Sequence, residues 1–302
     1  MPVASLLPLF AYFLLGLILR KTGIVRRELA NVLLRIVFHL TLPALAFSAI
    51  ANASLNLGSI LLPVIGFVVN GACLLITFGL CRLSGIAPRD AGALLLGASV
   101  ANMVFIFPFI VAVLGESALV EAILFDLGNA VFLASVANSV AVRLSQQEAV
   151  VAGAALLRLL RTPLFIALVT AILISLSGLQ LPELVFGLLS PLGKLTVPLT
   201  IVALGLSFRA INLLDSRTFM TVASRMLCGL LVGLALVGIF GLTGTTALVI
   251  IVSAAAPIGF SAVTLAAAAK LDIEQISAAV SLSIFIGMFS TTLLLWIGQL
   301  LL

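Results

Sequence analysis

Ten long apolar stretches, separated by short turns that carry glycine, proline or charge, constrain the fold of this chain more than any other feature. A helix needs about 20 mostly apolar residues to cross a bilayer. Only helices and closed barrels satisfy their backbone hydrogen bonds in lipid, so these stretches predict an all-α polytopic membrane protein. The predicted spans are residues 5–20, 32–51, 59–81, 91–114, 119–142, 163–179, 184–207, 218–241, 246–269 and 276–299.

The composition agrees with this class. The chain is 63% hydrophobic and 8% charged, whereas a soluble domain carries about 25% charged residues. The net charge of +5 does not indicate nucleic-acid binding, because the basic residues lie in short loops. The three cysteines, Cys73, Cys81 and Cys228, fall in or beside apolar stretches and form no CxxC motif, which argues against a disulfide framework.

The basic residues predict the orientation. Fourteen of the 15 Lys and Arg residues flank the turns after spans 1, 3, 5, 7 and 9, and only Lys194 does not. The positive-inside rule makes this face cytoplasmic, so we expect an inner or plasma membrane protein with both termini outside. The fourteen are Arg20, Lys21, Arg26, Arg27, Arg35, Arg82, Arg89, Arg143, Arg158, Arg161, Arg209, Arg217, Arg225 and Lys270.

A weak repeat divides the chain. Residues 39–43 (HLTLP) resemble residues 194–198 (KLTVP) at an offset of 155, and Pro8 and Pro163 have the same offset. An odd number of spans in each half turns the second half upside down relative to the first. We therefore predict two inverted five-helix repeats, residues 1–145 and 146–302, joined by a cytoplasmic amphipathic linker.

Spans 4 and 9 are both interrupted by proline, at Pro108 and Pro257. Proline has no N–H for the carbonyl four residues back, so each span is predicted to kink or break there. A broken span is tolerated only inside protein or beside a water-filled cavity. Two interrupted spans at corresponding places in two halves are the best sequence indication of a transporter binding site.

The motifs resemble one family over nearly the whole chain. Residues 42–45 (LPAL), Asn102 to Pro108, residues 125–129 (FDLGN) and Pro257 stand in the order found in the auxin efflux carrier family. Its bacterial members are regarded as malate and malonate permeases. The resemblance implies a fold similar to that of bile-acid sodium symporters, in which broken helices 4 and 9 cross within one bundle. It is also compatible with a homodimer.

The residues around the two breaks are candidates for substrate binding. The Asn102 amide can donate to a substrate carboxylate, or alternatively bond to a freed backbone carbonyl. Half-helix N-termini present positive dipole ends, which suits an anion. The prolines are expected to shape the crossing, and small residues to allow close approach. The candidates are Asn102, Phe105, Pro108, Ser253, Pro257, Gly259 and Ser261.

Four further residues are candidates for ion coupling. Asp126 is the only carboxylate placed well within a predicted span, and an intramembrane carboxyl group can carry a proton or serve as a structural hydrogen-bond partner. Asn129, one turn away, is predicted to form one polar unit with it. Lys194 either pairs with Asp126, attracts an anion, or extends its side chain to the interface. His39 is either a proton relay or a packing residue bonded to a carbonyl.

The function follows from these sites and from missing motifs. The sequence has no HExxH, GxSxG, Walker A or GxGxxG motif, so we expect neither enzymatic activity nor a cofactor. One histidine and three scattered cysteines do not indicate a metal site. We predict a secondary transporter of a small organic anion, such as a carboxylate, coupled to protons. The alternatives are a sodium-coupled symporter of an amphipathic anion, facilitated transport without ion coupling, a membrane sensor that binds without transporting, and an intramembrane enzyme.

Overall fold

The structure, a computed structural model, describes residues 2–26, 28–53, 55, 59, 61–144, 152–208 and 215–301. The predicted boundary at residues 145/146 lies outside these ranges, as do Arg27 and Arg209. Within them all regular secondary structure is helical apart from one isolated β-bridge, which confirms the all-α prediction. The helices are α1 Pro2–Lys21, α2 Glu28–Ile36, α3 Leu42–Ala51, α4 Leu61–Leu83, α5 Pro88–Ser99, α6 Met103–Leu114, α7 Glu116–Phe132, α8 Asn138–Leu144, α9 Ala152–Leu160, α10 Pro163–Ser177, α11 Glu183–Lys194, α12 Thr196–Ser207, α13 Ser216–Ile239, α14 Gly244–Ala254, α15 Ser261–Ala268 and α16 Ile273–Leu301, with π-helical turns at Val37–Thr41 and Leu133–Ala137.

Long apolar segments dominate the described ranges. Large apolar side chains such as Leu75 and Leu231 are 69% and 65% exposed, which is favourable where lipid, rather than water, surrounds the helices. Shorter apolar helices are α6, α10 and α14. In the part of the chain that the structure describes, six segments are long and apolar enough to cross a membrane: Glu28–Ala51, Leu61–Leu83, Glu116–Leu144, Glu183–Ser207, Ser216–Ile239 and Ile273–Leu301.

The helices pack in two groups. In the first group, α1 and α2 contact α12, and α3 contacts α10 and α11. In the second, α4 contacts α5, α7 and α13, and α13 contacts α14 and α16. The groups meet where α1 contacts α6 and α3 contacts α7. Both pairs of short helices, α5–α6 and α14–α15, belong to the second group, since α6 contacts α7 and α15 contacts α5 and α16.

Glycines bring α4 and α7 into backbone contact. A Cβ on Gly128 would overlap the carbonyl oxygen of Pro63, and a Cβ on Gly66 would overlap the carbonyl oxygen of Phe125. Such close approach is typical of small residues between membrane helices. It allows polar side chains farther along α4 and α7 to reach each other.

The first break lies at residues 100–102, between α5 and α6. Val100 is extended, and the Asn102 side-chain oxygen caps α6 by accepting a 3.2 Å hydrogen bond from the Phe105 N–H. The prediction of a break at Pro108 is wrong, because Pro108 lies inside the continuous helix α6. Pro108 removes one intrahelical hydrogen bond but does not end α6, whereas the residues at the break pair with another segment.

The second break lies at residues 255–260, between α14 and α15. Pro257 is within it, as the sequence predicts. The two breaks face each other and carry the single β-bridge of the described ranges, which pairs Ala101 with Ile258 in antiparallel fashion. The interrupted helices therefore cross at their extended segments.

Candidate substrate site at the helix crossing

Two backbone hydrogen bonds join the broken helices. The Asn102 N–H donates to the Pro257 carbonyl over 2.8 Å, and the Gly259 N–H donates to the Val100 carbonyl over 2.9 Å. Backbone groups freed from a helix in a membrane need such partners. Each break thus satisfies part of the other, and the crossing holds both half-helix ends in fixed positions.

A cavity of about 460 Å³ borders this crossing. The first turns of α6 and α15 both reach it, through Met103 and Val104 on one side and Phe260 and Ser261 on the other. Helix N-termini carry partial positive charge, so both ends favour an anion in the cavity. At α15 the N–H groups of residues 262–264 already donate to the Gly259 and Phe260 carbonyls, so this end contributes through its dipole. The polar lining residues are His39, Asn102, Asp126, Asn129, Thr162, Ser261 and Thr264.

The Asn102 side chain is only half satisfied. Its oxygen caps α6, but its amide nitrogen has no hydrogen-bond partner among the described residues, although the side chain is only 6% exposed. A buried donor without an acceptor costs about 1–3 kcal/mol. Asn102 lines the cavity, but its amide nitrogen is buried in this conformation, so the side chain must shift before a ligand oxygen supplies the missing acceptor.

Asn129 connects Asp126 to the crossing. Its amide nitrogen donates to an Asp126 carboxylate oxygen over 2.8 Å and to the Ala101 carbonyl over 3.4 Å. Its oxygen accepts from the Ala101 N–H over 3.3 Å and from the Asn70 amide over 2.9 Å. The two side chains predicted as one polar unit are thus joined, and the unit extends to the backbone of the first break.

Arg225 lies behind the crossing, fully buried in α13. Its guanidinium donates to the carbonyls of Ala98, Ala254 and Ala256 over 3.4, 2.9 and 3.2 Å, and to the Asn70 side-chain oxygen over 2.8 Å. The prediction that Arg225 belongs to the cytoplasmic flank is wrong. Its position eight residues into the predicted span is the sequence signal that could have indicated burial.

The remaining predicted substrate residues divide between the cavity and the core behind it. Gly259 and Ser261 line the cavity with Asn102. Phe105 and Ser253 are fully buried and are not among its lining residues; the Phe105 ring lies 4.8 Å from that of Phe109. Pro108 and Pro257 are not lining residues either.

The two predicted cationic candidates lie apart. His39 borders the cavity, is exposed, and its Nδ1 lies 3.0 Å from the Arg35 carbonyl. Lys194 is exposed at the end of α11 and does not line the cavity. It does not pair with Asp126, since the one ion pair within the described ranges joins Arg217 and Asp90 over 3.3 Å.

A second cavity, of about 800 Å³, borders an earlier turn of α7. It contains Glu121, whose carboxylate accepts a 2.9 Å hydrogen bond from the Thr246 hydroxyl. The sequence reasoning missed Glu121 as a span carboxylate, because it lies close to the predicted start of span 5. Helix α7 therefore places Asp126 in the first cavity and both Glu116 and Glu121 in the second.

Comparison with known proteins decides the family. The membrane transport protein family matches residues 2–295. The chain belongs to this family, the auxin efflux carrier family. A protein of Methanothermobacter thermautotrophicus, named as an uncharacterized transporter, is 26% identical over 295 residues, which is 96% of each chain. The family indicated by the motifs is confirmed.

Membership in the auxin efflux carrier family makes the chain a multi-pass membrane transport protein. The polar cavity at the crossing is the candidate site for its cargo. Among the residues that the structure describes, no group of three or more His, Cys, Asp and Glu side chains can hold a metal ion.

Proposed function

We propose that this protein is a secondary transporter that carries a small organic anion, such as a mono- or dicarboxylate, by alternating access around the helix crossing. One observation carries the proposal. Two half-helix N-termini and the unpartnered Asn102 amide converge on one cavity. A carboxylate accepts from amide and backbone N–H groups and is stabilised by the positive helix ends.

The proposed architecture is ten spans in two inverted repeats. Two contacts at the crossing support it. Asn102 donates to Pro257, and Arg225 donates to Asn70; the members of each pair lie 155 residues apart, the offset of the repeated motifs. Residues related by a pseudo-two-fold axis meet each other only near that axis. An axis through the crossing accounts for both contacts.

The proposed coupling ion is a proton carried by Asp126. Asp126 lines the same cavity as the anion-binding groups. An ionised carboxylate repels an anionic substrate at short range in a medium of low dielectric constant. Protonation of Asp126 removes this repulsion, so proton and anion bind together and leave together. Sodium coupling to a bulkier amphipathic anion is the alternative.

The proposed orientation puts the cavity on the cytoplasmic side in this conformation. The cavity borders Leu159 and Thr162, which adjoin the linker between the halves. Single cysteines at Arg143 and Arg158, in a variant without the native cysteines, should react with impermeant maleimide only from the cytoplasmic side. Labelling from outside would contradict the orientation but not the transport of an anion.

A binding screen followed by a transport assay tests the function. Carboxylic acids are screened for those that raise the melting temperature of the purified protein. The best acid is then used in counterflow experiments in proteoliposomes, with sodium replaced and the proton gradient collapsed separately. We expect exchange that survives sodium replacement and uptake that stops when the proton gradient collapses.

The other outcomes separate the alternatives. Uptake that stops when sodium is replaced would favour the sodium symporter. Binding without exchange would favour a sensor, and a product chemically distinct from the added acid would favour an enzyme. Each of these results would overturn the proposed proton-coupled transporter.

A further inference from the structure

The Arg225 guanidinium is a buried cation whose hydrogen-bond acceptors, among the residues that the structure describes, are all neutral. It is 0% exposed, and its hydrogen bonds go to three backbone carbonyls and one amide oxygen. The one ion pair within the described ranges lies elsewhere, between Arg217 and Asp90. A buried charge with no counter-ion is costly unless its surroundings replace the solvation that water gives.

Helix ends supply that replacement. Ala98 is in the last turn of α5, Ala254 is the last residue of α14, and Ala256 follows it in the second break. The C-terminal end of a helix carries partial negative charge and unpaired carbonyls. Arg225 therefore lies where the negative C-terminal ends of α5 and α14 converge. The positive N-terminal ends of α6 and α15 face the cavity instead.

In transporters with broken helices, such carbonyl ends coordinate the coupling cation. Here a guanidinium donates to them instead. We propose that Arg225 is a tethered cation, which occupies the position between the two helix ends where a free sodium ion would otherwise bind. The protein then needs no sodium to assemble its crossing. The consequence for transport, sodium-independent coupling, rests on the proposed function; the occupancy of the site by Arg225 does not.

The sequence offset supports a division of roles between the halves. Asn70, 155 residues before Arg225, is an amide that accepts from Arg225 and donates to Asn129. One equivalent position thus holds the cation and the other holds an acceptor for it. A helix-packing role alone would be served by an apolar pair, which costs less desolvation.

Cation rescue of a truncated variant tests the proposal without any substrate. Arg225→Ala and the control Arg217→Ala are purified, and their melting temperatures are measured in choline, sodium and low-millimolar guanidinium chloride. The control lies on the same helix, 51% exposed. We expect Arg225→Ala to melt roughly 10 °C below the wild type in choline. Guanidinium and sodium should each restore part of this loss with saturating dose dependence, and neither should shift the wild type or Arg217→Ala.

An Arg225→Ala protein that is destabilised but indifferent to both cations would overturn the proposal and leave Arg225 a packing residue. If Arg225→Ala cannot be purified, Arg225→Gln and Arg225→Lys decide the question. The neutral glutamine variant should gain stability from sodium, whereas the charged lysine variant should not. Identical sodium responses of the two variants would contradict a tethered cation.

These melting experiments fail independently of the carrier hypothesis. Cation rescue in a protein that exchanges no carboxylate would uphold the tethered cation and leave only the transport proposal overturned. Where exchange is observed, Arg225→Ala should in addition show uptake that increases with external sodium. Uptake by the variant that ignores sodium would contradict the proposed link between Arg225 and sodium independence.

Discussion

The two breaks differ in length and in their central residue. At the first break three residues separate α5 from α6, and the last of them, Asn102, caps α6. At the second break six residues separate α14 from α15, and Pro257 stands 155 residues after Asn102. Asn102 has a backbone N–H and gives it to Pro257. Pro257 has none to return. The return bond comes from Gly259 instead. The crossing is therefore closed by unequal partners.

The helices behind the breaks differ in the same way. Asn70 is an amide where Arg225 is a cation, and Asp126 is a carboxyl group where the position 155 residues later is Ser281. Both halves give the cavity polar groups, but its carboxyl group, Asp126, comes from the first half. In the second half the charge points to the back of the crossing. The carboxyl group that borders the cavity thus comes from the first half, and the buried cation behind the crossing comes from the second.

The largest expected effect concerns Asn70 and Arg225, the paired residues behind the crossing, whose replacement should lower the free energy of unfolding by different amounts. Arg225→Leu removes the donor from three carbonyls and from Asn70, and each such hydrogen bond contributes about 1 kcal/mol, so we expect a loss of about 3–5 kcal/mol in the free energy of unfolding. Asn70→Leu removes one acceptor from a guanidinium that keeps three, which should cost about 1–2 kcal/mol. Unfolding of the purified proteins in mixed micelles measures both. Equal losses would show that Arg225 contributes no more to the free energy of unfolding than Asn70 does.

The next effect concerns cargo binding. Asn102→Ala removes the unpartnered amide, and a hydrogen bond to a charged group is worth about 1.5–3 kcal/mol, so affinity for the best carboxylic acid should fall at least about tenfold. Pro257→Ala should change affinity less than about threefold, because Pro257 does not line the cavity. Titrated shifts in melting temperature measure both variants. A larger loss for Pro257→Ala would reverse the assignment of roles.

The sequence predicted the helices well because hydrophobicity over about 20 residues reports burial in lipid directly. It misplaced the first break because Pro108 is a local signal, whereas the break depends on pairing with a segment more than 150 residues away. It misplaced Arg225 because the positive-inside rule counts charges near span ends, and the carbonyls that bind this side chain come from other helices. The pairing of Asp126 with Asn129 was predictable because it is local.

The pH dependence should sharpen the contrast between Asp126 and the second half. In the wild type, uptake of a fully ionised acid should rise as the pH falls, because protonation of Asp126 removes its repulsion of the anion. One titrating group changes the rate by at most about tenfold per pH unit. Asp126→Asn is permanently neutral, so its uptake should be independent of pH.

His39 provides the control for that measurement, since it is the histidine that borders the same cavity. His39→Gln should keep the wild-type pH profile, measured as initial uptake into proteoliposomes at a constant gradient. A pH-independent uptake by His39→Gln, or an unchanged pH profile for Asp126→Asn, would show that a group other than Asp126 causes the pH dependence. The proposed contrast between the two halves would then be wrong.

The smallest effect tests how closely the two breaks approach. A Cβ on Gly259 would lie 2.9 Å from the Ala101 carbonyl oxygen and 3.0 Å from a Val100 side-chain carbon, so Gly259→Ala must widen the crossing. We expect it to lower the free energy of unfolding by about 1 kcal/mol. Gly79→Ala, in the open surface of α4, should instead raise it by nearly the same amount, about 0.8–1 kcal/mol, through helix propensity. In the first half, the position equivalent to Gly259 is Val104, which lies in the first turn of α6 rather than in the break. Only the second break thus needs a residue without a side chain at this position. If Gly259→Ala were stabilising, the two backbones would not approach as closely as their hydrogen bonds require.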